Sequence, residues 1–493
     1  MNFYSDFRHG SAREATLDEK YRAGLYEDDG GVYIGICPET KNYMTLAGDA
    51  PITLIGGAGT GKNTDILAYT NFYPGSMLYN DPKGEWSATT RAHKLTMGRD
   101  FYCINPYGLH TKAPWNLPQH KVEPLAILDP KSPFIDSYCM KIAAMIIAVN
   151  LQGKTYFPKK ARQWLSNLLL AYVSTVKKRS LSGFMAILNM IENNFNEFET
   201  FANGTFKATR NPYINRTIEE IITKRKTAPE EYSGIMSNIF TDMAFMEDRN
   251  IRELFSGEDF SLDVLSQTNP PADVSICIPA QTLASNKTVM RLIIGVAMLY
   301  QYKNTASKPL FVIDEAGQLG HFEELEEAYT YGRSFFRTLS VNQDLGQIKK
   351  NYGDAGVTTF LGSSQVKIFL GIRDIESANL VSSMFGNQTI EVDNLIYKAQ
   401  ARLAHQQAMN NLMFNGADPF QTGLELAHWK KEYRHKDKIK RPLYTPDEIL
   451  NLSNRQSIIF LSGKDTYPFI GERMPYYQDN NVKHHFKPNP YHL

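Results

Sequence analysis

Short runs of consecutive apolar, often β-branched residues recur along the chain at intervals of helix length. Gly31–Cys37, Pro51–Ile55, Ser76–Asn80, Asp100–Asn105, Ala272–Pro279, Leu310–Glu315, Arg337–Gln343, Val366–Gly371 and Ser457–Leu461 each predict a strand. Runs apolar at successive positions suit strands covered on both faces. Their separation by helix-length segments predicts an α/β fold with a mainly parallel sheet.

Between Asp136 and Phe255 the period becomes helical. Ala161–Lys177 carries Trp164, Leu165, Leu168, Leu169 and Val173 at helical spacing, and Ser233–Phe245 carries Ile235, Met236, Ile239, Phe240 and Met243. Phe201–Thr209, polar and containing a glycine, is expected to be a loop. Ala12–Lys20 and Thr288–Tyr302 are expected to be helical, and Val392–Glu432 forms a weakly patterned helical stretch. The block is too long for one crossover, which points to an all-alpha domain inserted into the sheet domain. The alternative, that these helices merely cover the sheet, stays open.

One predicted strand runs into Gly56-Gly57-Ala58-Gly59-Thr60-Gly61-Lys62-Asn63-Thr64, and Asp65–Tyr69 then reads as the first turns of a helix. A strand that ends in glycines and restarts as a helix aims backbone N–H groups and a helix dipole at one spot, which suits phosphates. This is the setting of a P-loop, G-x-x-x-x-G-K-[ST], although a Gly-rich turn with one lysine also arises as an ordinary connection. Asn63 stands where that pattern has a Mg²⁺-binding hydroxyl, and Thr64 comes one step late. An amide oxygen is a neutral and weaker ligand.

A second strand, Leu310–Ile313, ends in Asp314-Glu315. In open α/β sheets ligands sit at that edge. With ATP in the P-loop, Lys62 is expected to neutralise the β and γ phosphates. Asp314 is expected to hold Mg²⁺ with Asn63 and Thr64, and Glu315 to polarise the attacking water. Gln343, at another strand end, is a candidate γ-phosphate sensor. Arg333, with Arg337 and Arg373, is a candidate finger for a neighbouring subunit's nucleotide. An Asp-Glu pair also serves as a helix N-cap, and any one arginine as a salt-bridge partner.

The 493 residues, 42% hydrophobic and 21% charged, describe a folded protein of two or three domains. Lys+Arg 53 against Asp+Glu 52 leaves a net charge of +1, so nucleic-acid contact must come from local patches. The run Lys430–Arg441 is one such patch, interrupted by Glu432 and Asp437. Cys37, Cys103, Cys139 and Cys277 lack metal-ligand spacing and read as reduced thiols. No signal peptide is apparent. Ile142–Val149 and Leu292–Leu299 fall short of the roughly 20 apolar residues that span a bilayer, so a cytoplasmic chain is expected.

These motifs and their order resemble the TraG/TraD group of type IV secretion coupling proteins, the conjugation ATPases. His9-Gly10-Ser11-Ala12-Arg13 with Ala15-Thr16 is similar to the start of that family's cytoplasmic part. Pro74-Gly75-Ser76, Asp81-Pro82-Lys83-Gly84-Glu85, Asn105-Pro106-Tyr107-Gly108 and Trp115-Asn116 resemble its stretch beyond the P-loop. Asp314-Glu315-Ala316 with Leu319-Gly320 is similar to its Walker B region, and Gln343-Asp344, Gln347 and Tyr352-Gly353 to the segment beyond. Arg441-Pro442-Leu443, Thr445–Ile449 and Pro475-Tyr476-Tyr477 resemble its C-terminal signature.

The resemblance implies a RecA-like nucleotide-binding domain interrupted by an all-alpha domain. An N-terminal segment (1–30) leads to the part with the P-loop (31–135), the inserted domain (136–260), and a second part with Walker B and the C-terminal segment (261–493). It implies ATP and Mg²⁺ as cofactors and a homo-hexameric ring. DNA, a relaxase or effector cargo, and the ATPases and inner-membrane components of a type IV secretion channel are the implied partners. The implied function is ATP-driven delivery of relaxase-bound single-stranded DNA, or of effectors, to that channel. A hydrolysis-deficient adaptor and a DNA-pumping motor of the FtsK/HerA kind are the alternatives. Family members usually begin with a transmembrane anchor, absent here, so peripheral attachment at the inner membrane is expected. The family often lacks the hydroxyl after the lysine too, which softens the departure at Asn63.

Overall fold

All nine predicted strands form. In the computed structural model, which describes residues 7–27, 30–149, 155–303, 307–433 and 436–491, they are joined by four others. In chain order the strands are β1 (Val32–Ile36), β2 (Tyr43–Leu46), β3 (Ile52–Gly56), β4 (Met77–Asn80), β5 (Asp100–Ile104), β6 (Ala272–Ile276), β7 (Leu310–Ile313), β8 (Arg337–Asn342), β9 (Val366–Leu370), β10 (Asn387–Asp393), β11 (Lys436–Pro442), β12 (Gln456–Leu461) and β13 (Phe469–Glu472). The chain divides into two compact units, Leu17–Gly371 with Asn454–Leu493, and Met1–Thr16 with Ile372–Ser453. The second lies largely inside the stretch 261–493, where the sequence draws no boundary.

The larger unit is built on an eleven-stranded sheet, in the order β2-β1-β13-β12-β9-β3-β8-β7-β4-β6-β5. From β9 to β5 every pairing is parallel; β12, β13, β1 and β2 extend it antiparallel. The fold class is thus a RecA-like α/β sheet with a helical part. β3, β4 and β7 are buried at every position, which explains their continuous apolar runs. β3 pairs with β8 on one side (Leu54 opposite Val341) and β9 on the other (Leu54 opposite Ile368), so its C-terminal tip opens mid-sheet.

Helices from Ile135–Ile146 to Arg249–Leu254 lie between the neighbouring parallel strands β5 and β6. Phe201–Thr209 is not a loop: helix Phe195–Ala208 runs through it and buries Phe198, Ala202 and Thr205, spaced four and three apart. Its polar letters are the solvent face of that helix. The helix expected over Ala12–Lys20 begins only at Leu17 and ends at Arg22. Among the described residues one helical stretch, Ala280–Gln301, is long and apolar enough to cross a membrane, and 78% of its most apolar window is buried inside the fold. It is the core helix that the pattern at Thr288–Tyr302 announces.

In the smaller unit β10 and β11 pair antiparallel from Asn387–Pro442 to Asp393–Lys436. Half of the basic run is therefore strand rather than solvated loop, with Glu391 opposite Lys438 across the ladder. The helical stretch expected over Val392–Glu432 is a hairpin of two helices, Leu395–Phe414 and Pro419–Tyr433. Gly10 lies against β10, where a Cβ would sit 2.2 Å from the Asn387 carbonyl oxygen. Glycine is required there by contact.

Candidate nucleotide site

The loop after β3 turns on two glycines with positive φ, Gly59 (74°) and Gly61 (78°), conformations that favour residues without a Cβ. The Thr60 hydroxyl donates to the Gly57 carbonyl at 2.8 Å and that of Thr64 to the Gly61 carbonyl at 3.1 Å, closing the loop on itself. A Cβ at Gly59 would meet nothing within 4 Å, so the crest of the loop is open to a ligand.

The helix expected to begin at Asp65–Tyr69 is short and irregular. A 3-10 turn at Lys62–Thr64 is followed by Asp65 at φ −125°, ψ −103°, a four-residue helix at Ile66–Tyr69 and another 3-10 turn at Thr70–Phe72. The Asp65 carboxylate at this break is engaged elsewhere in the chain. Arg473, just past β13, donates to it at 2.6 Å, and both side chains are buried. Burial pushes the Asp65 carboxyl up to about 6, with Arg473 working against that rise. The loop thus has no long helix behind it to add a dipole.

Lys62 is 7% exposed, and its Nζ is buried without a hydrogen bond. The Glu315 carboxylate stands 3.7 Å from it. Glu315 adopts the left-handed conformation (φ 52°), and Gln343 Nε2 donates to its Oε2 at 2.7 Å. Asp314 is held through its backbone: its N–H donates to Asn80 Oδ1 at 2.6 Å, and its carbonyl accepts from Asn80 Nδ2 at 2.5 Å. Its Oδ1 accepts the Glu315 N–H at 2.9 Å. Burial, then the Glu315 charge, pushes the Asp314 carboxyl up to about 7, while Lys62 pulls it down. A buried ammonium without a hydrogen bond, beside a carboxyl that burial keeps from ionising, is a donor set that fits a phosphate with a divalent cation.

Lys62, Asp314, Glu315 and Gln343 come together at the C-terminal edge of adjacent strands. Arg333 does not join them. It is exposed on the turn Gly332–Ser334 that leads into β8, whereas Gln343 follows the far end of that strand. Arg337 is buried and donates to the carbonyls of Leu46 (2.7 Å) and Ala50 (3.3 Å), which fits a structural role rather than a finger. Arg373 is exposed, in the smaller unit. Asn63 and Thr64 are half-buried, the Thr64 hydroxyl already engaged. Sequence reasoning missed Asn80, Asp65 and Arg473. None carried a sufficient signal: Asn80 ends a strand, but only the pairing of that strand with β7 gives it a role.

A family model for type IV secretory system conjugative DNA transfer matches residues 14–412 and 425–492. The chain is 26% identical over 402 residues to the type IV secretion system-coupling protein VirD4 of Bartonella quintana, covering 77% of this chain and 61% of that protein. It is 22% identical over 512 residues to protein VirD4 of Agrobacterium fabrum, covering 99% and 68%. The chain thus spans about three fifths of the Bartonella relative's length. Among solved structures, the conjugative coupling protein TrwBΔN70 in its unbound form aligns with a TM-score of 0.60 at 14% identity, over 96% of each chain. TrwB in complex with ADP and Mg²⁺ aligns at 0.60 and 15% identity, over 95% of each. These two likenesses show the fold. The family match extends over most of the chain, which belongs to the type IV secretory system conjugative DNA transfer family.

Proposed function

We propose that the chain is an ATP-hydrolysing coupling protein. In this reading it hands relaxase-bound single-stranded DNA, or effector proteins, to a type IV secretion channel, as a homo-hexamer at the cytoplasmic face of the inner membrane. Residues 136–260 serve as its inserted all-alpha domain. The observation that carries the reading is the buried Lys62 ammonium, without a hydrogen bond and 3.7 Å from Glu315, at the foot of an open glycine loop. Similarity to the VirD4 coupling proteins, and to TrwB bound to ADP and Mg²⁺, supports it.

Gly56, Gly57, Ala58, Gly59, Thr60 and Gly61 offer backbone N–H groups, and Lys62 the compensating charge, to the phosphates. Asp314 holds the cation with Asn63 or Thr64. Bound Mg·ATP supplies the phosphoanhydride to be cleaved and neutralises charge as it builds. Glu315 orients the attacking water and takes its proton. Gln343, holding the other oxygen of that carboxylate, keeps it aimed. Arg333, exposed and remote from its own chain's cluster, is in this reading the finger for a neighbouring protomer's nucleotide.

Steady-state hydrolysis by the purified chain, with and without single- and double-stranded DNA, tests this. Lys62→Ala and Glu315→Gln should each lower DNA-stimulated turnover about a hundredfold or more, as loss of a transition-state contact does. A specific feature favours a second reading, an adaptor that binds nucleotide without turning it over. Asn63 lacks a hydroxyl, and Thr64, whose hydroxyl donates to the Gly61 carbonyl and keeps its lone pairs, comes one position late. Nucleotide binding without hydrolysis under every condition would establish the adaptor instead.

A further inference from the structure

Along the C-terminal edge of the sheet, beyond Asp314 and Glu315, three segments of the larger unit meet at the surface. They are Asp81–Glu85 after β4, the loop 105–119 after β5, and the stretch 482–491. Tyr491 Oη and His110 Nε2 both donate to the Lys83 carbonyl, each at 2.9 Å. Trp115 Nε1 donates to the Pro488 carbonyl at 2.7 Å. The His110 ring meets Trp115 and Tyr491 edge-on, with centroids 5.5 and 5.4 Å away. Three rings are thus gathered at one spot, and Tyr491 is 52% exposed. His110 and Asn116 hold left-handed backbone, φ 50° each, which residues with a Cβ rarely adopt.

The charge around these rings is one-sided. Lys83, Lys112 and Lys487 are exposed and make no ion pair among the described residues. Residues 82–84, 105–119 and 481–491 contain no acid. The two acids beside Lys83 are turned inward. Asp81 is buried and accepts from the Ser87 N–H and hydroxyl, and Glu85, 9% exposed, accepts from Asn489 Nδ2. Exposed lysines without neighbouring acids attract a phosphate chain, and an exposed ring takes the face of a base. A duplex hides its base faces in the stack, so the two features together fit a single strand.

We propose that this surface binds single-stranded DNA, with phosphates on Lys83, Lys112 and Lys487 and a base stacked on Tyr491. The proposal rests on the coupling reading for its partner and deepens it by naming where the strand is held. Asn80, which clasps both backbone groups of Asp314, stands three residues before Lys83. A strand held here therefore lies beside the segment that steadies the proposed cation ligand. Occupancy of the surface does not depend on hydrolysis.

Fluorescence anisotropy of a labelled oligothymidylate of about 20 nucleotides, longer than one such site covers, tests this on the full chain across a range of salt. Tyr491→Ala should weaken binding about fivefold or more, the worth of one base stacked on a ring. Tyr491→Phe keeps the ring, loses the bond to Lys83, and should bind as the wild type does. Lys83→Ala, Lys112→Ala and Lys487→Ala together should lower the slope of log affinity against log salt by about two, since each phosphate contact contributes about 0.7. All four side chains lie at the surface, and a melting temperature equal to the wild type's certifies each fold. Undiminished binding by both alanine variants overturns the site while leaving the coupling reading standing, because the strand is then held elsewhere. A Tyr491→Phe chain as weak as Tyr491→Ala, or a duplex bound as tightly as the single strand, overturns the stacking and with it the proposal. A wild type that binds no strand at low salt overturns it too, and ATP hydrolysis, measured separately, then decides the coupling reading by itself.

Discussion

Asp314 and Asn80 show how little of a site's machinery needs to touch a ligand. Asn80 satisfies both backbone groups of Asp314 from the neighbouring strand. Asn80→Ala leaves a buried N–H and C=O unpaired, which costs about 1–3 kcal/mol each at most. A lower melting temperature and weaker Mg²⁺-dependent nucleotide binding are expected, by calorimetry and by titration. The Asp314 carboxyl makes a second prediction. Its folded value, about 7, lies above the ordinary aspartate value, so the folded state holds a proton that the unfolded chain has lost. Stability from this group is full at low pH, falls as pH rises from about 4 to 7, and is flat above that. Asp314→Asn should gain on the wild type across that window, read as the difference between their melting temperatures at each pH. A constant difference would place the Asp314 charge elsewhere. From the sequence Asp314 and Glu315 were legible because strand-tip acids stand out; Asn80 was not, because its role depends on which strand lies beside β7.

At the scale of elements, the broken helix after the P-loop is the clearest failure of local reasoning. Asp65–Tyr69 has the letters of a helix start, yet Asp65 is taken by Arg473, 408 residues along the chain. No local pattern announces such a partner. The same segment is tied a second time: the hydroxyls of Tyr43 and Tyr69 both donate to Asp479, at 2.5 and 2.6 Å. The C-terminal stretch is thus part of the P-loop's support. Arg473→Met leaves the Asp65 carboxylate buried without a counter-charge, with the Tyr33 hydroxyl still donating to it, and should destabilise by about 3–5 kcal/mol, the usual result of breaking a buried pair from one side. Adding Asp65→Asn should recover part of that loss, since the stranded charge is then gone. Chemical denaturation of the two single variants and the double variant measures the coupling, and strictly additive losses would show that the pair is not the clasp inferred here. Phe201–Thr209 failed for a different reason. A helix that buries only Ala202 and Thr205 within this stretch shows mostly its wet side in the sequence.

For the whole molecule, the strands and their parallel core were legible because each carries its own apolar run, but their order was not. β13, β12 and β1 are short antiparallel additions whose place depends on pairing with distant partners. The division of the chain was also hidden, since Ile372–Ser453 returns to the larger unit at Asn454 without a Gly- or Pro-rich linker to mark either crossing. Lys62, Asp314, Glu315 and Gln343 all belong to the larger unit, so the proposed nucleotide site draws none of these four residues from the smaller one. The helical hairpin of the smaller unit, by contrast, leaves Leu395, Ile396, Phe414 and Phe420 exposed at 77%, 69%, 79% and 75%. Asp393 and Lys436 are direct partners at the base of that hairpin, so a two-residue Asn-Gly turn can join β10 to β11 in its place. The shortened chain should bind a fluorescent ATP analogue within about twofold of the full chain, a difference well under 1.4 kcal/mol. It should also be more soluble, because four large apolar side chains leave the surface. A loss of nucleotide affinity beyond tenfold in a chain that still unfolds cooperatively would mean that the smaller unit supplies part of the site.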